Sequence, residues 1–130
     1  MIVVDASCLG EMLVGGTHAQ LVSDRIARDS DHAAPHIIDV EVLGLIRRLR
    51  MVDAIDETTA VLGIEDLRLW PGERFGHRAL LARAWELRTT VRGWDAMYVA
   101  LAEVLDAPLV TRDARLSRAT GPRCSIELLA

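Results

Sequence analysis

Short apolar runs alternate along this chain with longer stretches of helical periodicity, and that alternation narrows the fold more than any other feature. Ile2-Val3-Val4 reads as a buried strand that ends at Asp5. Residues 6–14 read as a helix stopped by Gly15-Gly16. Residues 17–30 read as a second helix, with Thr17 as its cap and Leu21, Val22 and Ile26 as its apolar face. Ala33 to Pro35 forms a weak second strand. Ile38, Val42, Leu45, Ile46 and Leu49 repeat at helical spacing over 37–51. A helix over 56–66 is followed by an expected strand from Leu67 to Trp70, before Pro71-Gly72. An amphipathic helix over 77–88 precedes WDAMYVALAEVL, residues 94–105, which is apolar nearly all round and reads as a central, buried helix. Leu109 to Thr111 and Ser125 to Leu128 complete five expected strands. The fold class expected is α/β: one domain over residues 1–130, with a central parallel sheet covered on both faces. Such sheets bind ligands beyond the carboxyl ends of their strands, at the point where strand order reverses. Asp5 ends the first strand and Asp113 lies just past the fourth, so both fall at that kind of position.

Composition removes several classes of function. No apolar run approaches the ~20 residues needed to span a bilayer, and MIVVDAS has no basic leader region, so a cytoplasmic protein without a membrane partner is expected. Cys8 and Cys124 stand in no metal-binding spacing and read as small buried hydrophobes. His32 and His36 are four apart, but Pro35 between them breaks any shared helical face, which argues against a zinc pair. All fifteen basic residues are arginine. Without lysine there is no Walker A phosphate loop and no Schiff-base chemistry. The formal net charge of −4 is opposite to that of most nucleic-acid binders, so any such binding depends on a local patch.

Four carboxylates are placed where a charge is expensive unless compensated. Asp5 directly follows a buried strand. Glu41 has Ile37, Ile38, Gly44 and Leu45 as its helical neighbours. Asp95 opens the most apolar helix, and Asp113 follows a strand by two residues. Singly, each has a structural explanation. Asp5 or Asp113 can cap the helix that follows, Asp95 suits a helix N-terminus, and Glu41 can pair with Arg47, Arg48 or Arg50. Together they describe an oxygen-only donor set without Cys or His, which suits a hard divalent cation, Mg²⁺ or Mn²⁺. Two carboxylates ~4 Å apart repel by ~4 kcal/mol at an effective dielectric of 20, so convergence of the four requires a counter-charge.

The same residues carry a family resemblance. VVDASCLGEML resembles the D-x-S start of PIN domains, with Asp5 and Ser7 as the matching pair. IIDVEVLGLIRR resembles the helix bearing the family's glutamate, here Glu41. WDAMYVALAEVLDAPLVTRDARL resembles the family's C-terminal block, placing Asp95, Thr111 and Asp113. The three blocks occur in order over nearly the whole chain, and the length is similar to that of bacterial VapC toxins. The resemblance implies a three-layer α/β/α fold and a Mg²⁺- or Mn²⁺-dependent endoribonuclease. It implies Asp5, Glu41, Asp95 and Asp113 as catalytic, metal-coordinating acids, and Ser7 and Thr111 as hydroxyls that orient carboxylates. It also implies an RNA substrate, a VapB-type antitoxin partner and a homodimer. Some members carry a further acid after T-x-D. Here Ala114, Arg115 and Leu116 follow, so one or two metal ions remain open.

Arg112, Arg115, Arg118 and Arg123 cluster after the fourth expected strand, and Arg112 and Arg115 are the candidates for positioning substrate phosphates. A solvated helix face is the competing reading, and Arg112 could instead neutralise Asp113. Two other functions compete with the ribonuclease. A catalytically weak PIN-like binding module acting through protein partners would not need the acidic quartet. A metal-dependent phosphatase on a similar sheet would be expected to have a lysine, and a second aspartate in place of Ser7.

Overall fold

The computed structural model describes all 130 residues. Its sheet has five parallel strands: β1 (Ile2–Val4), β2 (His32–Pro35), β3 (Glu73–Phe75), β4 (Leu109–Thr111) and β5 (Ile126–Leu128). Their spatial order is β3-β2-β1-β4-β5. The chain steps outward from β1 through β2 to β3, then returns to the other side of β1 to lay down β4. Strand order therefore reverses between β1 and β4, where a ligand crevice is expected. Ile2, Val3, Val4, Leu109 and Val110 are all fully buried. Successive strand residues point to opposite faces, so full burial means that both faces are covered. Each such side chain contributes about 1.5–3 kcal/mol on burial.

Seven helices cover the sheet: α1 (Ala6–Leu13), α2 (Ala19–Ile26), α3 (Ile37–Met51), α4 (Glu57–Leu69), α5 (Leu81–Glu86), α6 (Asp95–Leu105) and α7 (Ala114–Ser117). α1 packs on α2, α3 and α4. α6 packs against β1, β2 and β4, as expected of a helix apolar nearly all round. It buries Ala96, Tyr98, Val99, Ala100, Leu101 and Ala102, whose small alanines let it lie close to the sheet. It ends at Asp106 in the left-handed conformation, φ 49°, which Asp tolerates better than most residues.

Several local expectations need correction. Residues 67–70 are not a strand: α4 runs through Leu69 and stops at Trp70, because Pro71 disfavours helical backbone in the residue before it. Ala60, Gly63 and Leu67 form the buried side of this helix, and Asp56 caps it by accepting from the Thr59 N–H at 2.7 Å. The third strand is instead Glu73–Phe75, a polar edge strand with no apolar run to announce it. Arg74 fastens it. Its guanidinium donates to the carbonyls of Leu67, Trp70 and Gly72, pairs with Asp39 at 2.9 Å, and lies 4.9 Å from the centroid of the Trp70 ring. α2 is shorter than expected, and Thr17 does not cap it. His18 holds the cap position, and its N–H donates to Glu11. The helix expected over 77–88 is a 3₁₀ turn, Arg78–Leu80, running into α5. Cys8 is fully buried as expected, whereas Cys124 is only partly so. No helix is long and apolar enough to cross a membrane.

Candidate active site

The site is assembled at the reversal of strand order. Asp5 leaves β1 with extended backbone, and its N–H donates to the Val110 carbonyl of β4. It occupies the cap position of α1, but its carboxylate makes no capping bond there. Instead Ser7 Oγ and Thr111 Oγ1 both donate to Asp5 Oδ2 at 2.7 Å, leaving Oδ1 unclaimed by either hydroxyl. Those hydroxyls are themselves fixed. Ser7 Oγ accepts from the Arg112 N–H, and Thr111 Oγ1 accepts from the Asp113 N–H, each at 3.0 Å. One hydrogen-bonded chain thus ties the end of β1 to the end of β4.

Glu41, on α3, accepts from the Tyr98 hydroxyl at 2.9 Å and not from an arginine. Tyr98 is fully buried on α6, so this bond joins the two helices across the site. Asp95 is the first residue of α6 and faces Arg92 loosely, at 3.7 Å. Asp113 does cap a helix: its Oδ1 accepts from the N–H groups of Arg115 at 2.8 Å and Leu116 at 3.4 Å. That role and a place in the site are compatible, because Asp5, Glu41, Asp95 and Asp113 all line one cavity of about 590 Å³, with Ser7, Arg48, Arg92, Gly93 and Trp94.

The electrostatics are those of negative charge packed without sufficient compensation. Burial raises the Asp5 carboxyl above its ordinary value, against the lowering effect of its two hydroxyl donors. Glu41 is pushed up to about 7 by burial, helped by the charges of Asp5 and Asp95 and opposed by the Tyr98 hydroxyl. Asp95 is pushed up to about 6 by burial, then by Asp5 and Asp113, with Arg92 pulling the other way. The acids ring the cavity, and no three of them close on one point at ligand spacing.

A family model described as the PIN domain matches residues 2–122. The chain belongs to the PIN-domain family. Among curated proteins it is 38% identical over 128 residues to ribonuclease VapC1 of Mycobacterium tuberculosis, covering 98% of this chain and 96% of that one. It is 40% identical to ribonuclease VapC3 of the same organism, with 91% and 86% covered, and 35% identical to ribonuclease VapC12, with 100% of each covered. A crystal structure of VapBC2 from Rickettsia felis, bound to a DNA fragment from its promoter, covers 100% of both chains with a TM-score of 0.68. At 17% identity, that likeness is one of fold.

Within this PIN domain the cations near the acids are not the expected ones. Arg112 donates to the Leu129 carbonyl at 3.3 Å and lines a separate cavity with Glu11, His18 and Asp56. It makes no pair with Asp113. Arg115 projects from α7 as an exposed residue outside the acidic cavity. Proximity in sequence misled here, because the chain turns sharply at the Asp113 cap. Arg48 and Arg92 line the cavity instead. Arg48 carried a usable signal: it stands seven residues after Glu41, two turns along the same face of α3. Arg92 and Trp94 had none, since they lie in an irregular segment before α6.

Proposed function

We propose that this chain is a Mg²⁺- or Mn²⁺-dependent endoribonuclease, the toxin component of a toxin–antitoxin pair. The observation that carries the reading is the convergence of Asp5, Glu41, Asp95 and Asp113 on one cavity at the β1–β4 switch point, with Glu41 and Asp95 held well above the usual carboxylate range. VapC ribonucleases related over almost the whole chain support it. An all-oxygen donor set with excess negative charge fits a hard divalent cation, and Mg²⁺ retains several waters, so the open ring of acids suits it. When bound, the ion supplies charge stabilisation for the phosphate and activation of the attacking water. The chain's own residues do the positioning. Ser7 and Thr111 fix the rotamer of Asp5, Tyr98 fixes Glu41, and the Asp113 cap holds that carboxylate at the mouth of the crevice. Water adds to phosphorus, the bond to the 3′-oxygen breaks, and the products carry 5′-phosphate and 3′-hydroxyl ends.

Cleavage should require Mg²⁺ or Mn²⁺, stop in EDTA, and be poorly supported by Ca²⁺, whose coordination is larger and looser. Sequencing the RNA ends produced on expression tests the products and the target together. Full cleavage in excess EDTA, with contaminating nuclease excluded, overturns the metal-dependent reading.

The proposal includes a small VapB-type antitoxin and a homodimer. Apolar surface lies exposed outside the acidic cavity, as Leu43, Val61 and Leu62 on α3 and α4, and as Leu81, Trp85 and Val104 on α5 and α6. Side chains of this size left in water mark contact surfaces when they cluster. Light scattering of the purified protein should give the mass of a dimer. A monomer at high micromolar concentration refutes that part of the proposal.

A further inference from the structure

The acidic cavity has a second arm, of about 450 Å³, which shares Ser7, Glu41, Arg48 and Trp94 with it. Its remaining walls are Ala6, Ile37, Val40, Gly44 and Leu45, so it is apolar where the first arm is acidic. Trp94 stands at the junction, 62% exposed. Trp70 is buried, with Arg74 4.9 Å from its ring centroid; Trp85 is as exposed as Trp94 but has Arg88 4.3 Å from its ring centroid, whereas no guanidinium lies over the Trp94 ring. Gly44 keeps the floor of the arm low. A Cβ there would meet nothing within 4 Å, so packing does not demand glycine, although glycine weakens a helix interior. Arg48 lines the arm from α3. Its neighbour Arg50 is paired with Asp53 and Glu57, whereas Arg48 is exposed and has no carboxylate partner.

We propose that this arm is a nucleobase subsite: the base of an unpaired nucleotide beside the scissile phosphate stacks on the Trp94 indole, and Arg48 and Arg92 meet the flanking phosphates. The inference rests on the ribonuclease reading and adds to it a base-binding role for Trp94. With a divalent cation held by the four acids, a phosphate at the acidic arm would have its base outside that arm, where the next surface is the exposed Trp94 ring. Base–aromatic stacking tolerates any base and needs one that is not already stacked in a duplex. Charge complementarity points the same way, since guanidinium groups flank the ring on α3 and in the segment before α6. A protein partner has larger apolar surfaces available on α3–α4 and α5–α6.

The test uses fluorescence anisotropy with fluorescein-labelled hexa-adenylate and an abasic hexamer of equal length, in Mg²⁺ and in the Asp5→Asn background so that the RNA is not consumed. We expect hexa-adenylate to bind about tenfold more tightly than the abasic oligomer, within the range of one stacking contact. Trp94→Ala should erase that preference without weakening abasic binding, and Trp94→Phe should retain most of it. In the otherwise wild-type chain, Trp94→Ala should raise KM for RNA more than it lowers kcat, and should leave Mg²⁺ stabilisation of the fold unchanged, which separates lost stacking from a displaced Asp95. A base preference that survives Trp94→Ala overturns the subsite. Equal binding of both oligomers by the background protein also overturns it, while Mg²⁺-dependent cleavage by the wild type decides separately whether the ribonuclease reading stands.

Discussion

Asp5→Asn should lower RNA cleavage at least about 100-fold and leave the metal-free fold as stable as before, or more so. The activity loss follows from removing a charged ligand, which should exceed the ~10–100-fold typical of losing a partner that only orients one; Ser7→Ala provides that milder comparison. The stability result follows from geometry. Both hydroxyls that hold Asp5 converge on Oδ2, and an asparagine carbonyl oxygen can accept from both in the same place. The substitution removes a buried charge that also pushes up Glu41 and Asp95. A gain of ~0.5–2 kcal/mol is the usual size of relief at functional sites. The sign with pH is fixed. Glu41 rises from 4.5 to about 7 and Asp95 from 3.8 to about 6 in the folded chain. Between the unfolded and folded values, the native state binds more protons than the unfolded state, so stability falls as pH rises. The metal-free protein should therefore melt higher at pH 5 than at pH 8, and Asp5→Asn should flatten that slope. Mg²⁺ at 100 Kd should restore ~2.7 kcal/mol to the wild type and less to the variant. Thermal unfolding of both proteins, with and without Mg²⁺ at the two pH values, reads all of this. Metal-insensitive melting of the wild type, with clear destabilisation by Asp5→Asn, would show the acids to be structural.

The parallel sheet was legible because its central strands are buried on both faces and so read as unbroken apolar runs. Ile2-Val3-Val4 and Leu109-Val110 had no alternative that left them in water. β3 was illegible for the opposite reason. It is an edge strand, its residues are Glu73, Arg74 and Phe75, and what fixes it is one arginine reaching back to the end of α4. The apolar residues placed in a strand at 67–70 belong to the last turn of that helix. Periodicity over so short a run does not separate the two, and Pro71 marks a boundary without saying which element it ends.

At the site, the four acids could be singled out as charges at the ends of apolar strands or on apolar helices, a local property of the sequence. Their hydrogen-bond partners were only partly so. Ser7 and Thr111 came through the family resemblance, while Tyr98 looked like one more core residue of an apolar helix. Its hydroxyl meets Glu41 across a sequence separation of 57 residues, and only the folded arrangement of α3 and α6 about the sheet brings them together. The cations were the least legible. Arginine side chains are long, and the choice between Arg48 and Arg112 depends on which helix face turns toward the crevice.

Tyr98 should therefore separate packing from charge positioning when it is replaced in two steps. It is the largest fully buried side chain, and its ring fills core space while its hydroxyl serves Glu41. Tyr98→Ala removes both functions. An aromatic deleted from a core costs about 3–5 kcal/mol. Against a total stability of about 5–15 kcal/mol, that leaves a small domain close to unfolding at 37 °C. Tyr98→Phe keeps the ring and removes only the donor. A hydrogen bond to a charged group contributes about 1.5–3 kcal/mol and one to a neutral group about 0.5–1.5 kcal/mol. Because the Glu41 carboxyl titrates at about 7, the cost of Tyr98→Phe should be larger at pH 8, where Glu41 is ionised, than at pH 5, where it is neutral. Cleavage by Tyr98→Phe should fall about 10–100-fold, since Glu41 loses the group that orients it. Denaturant unfolding at the two pH values, beside a cleavage assay, distinguishes the outcomes. If Tyr98→Phe matches the wild type in stability at both pH values and in cleavage, the hydroxyl does not position Glu41, and the Tyr98 ring serves only the core.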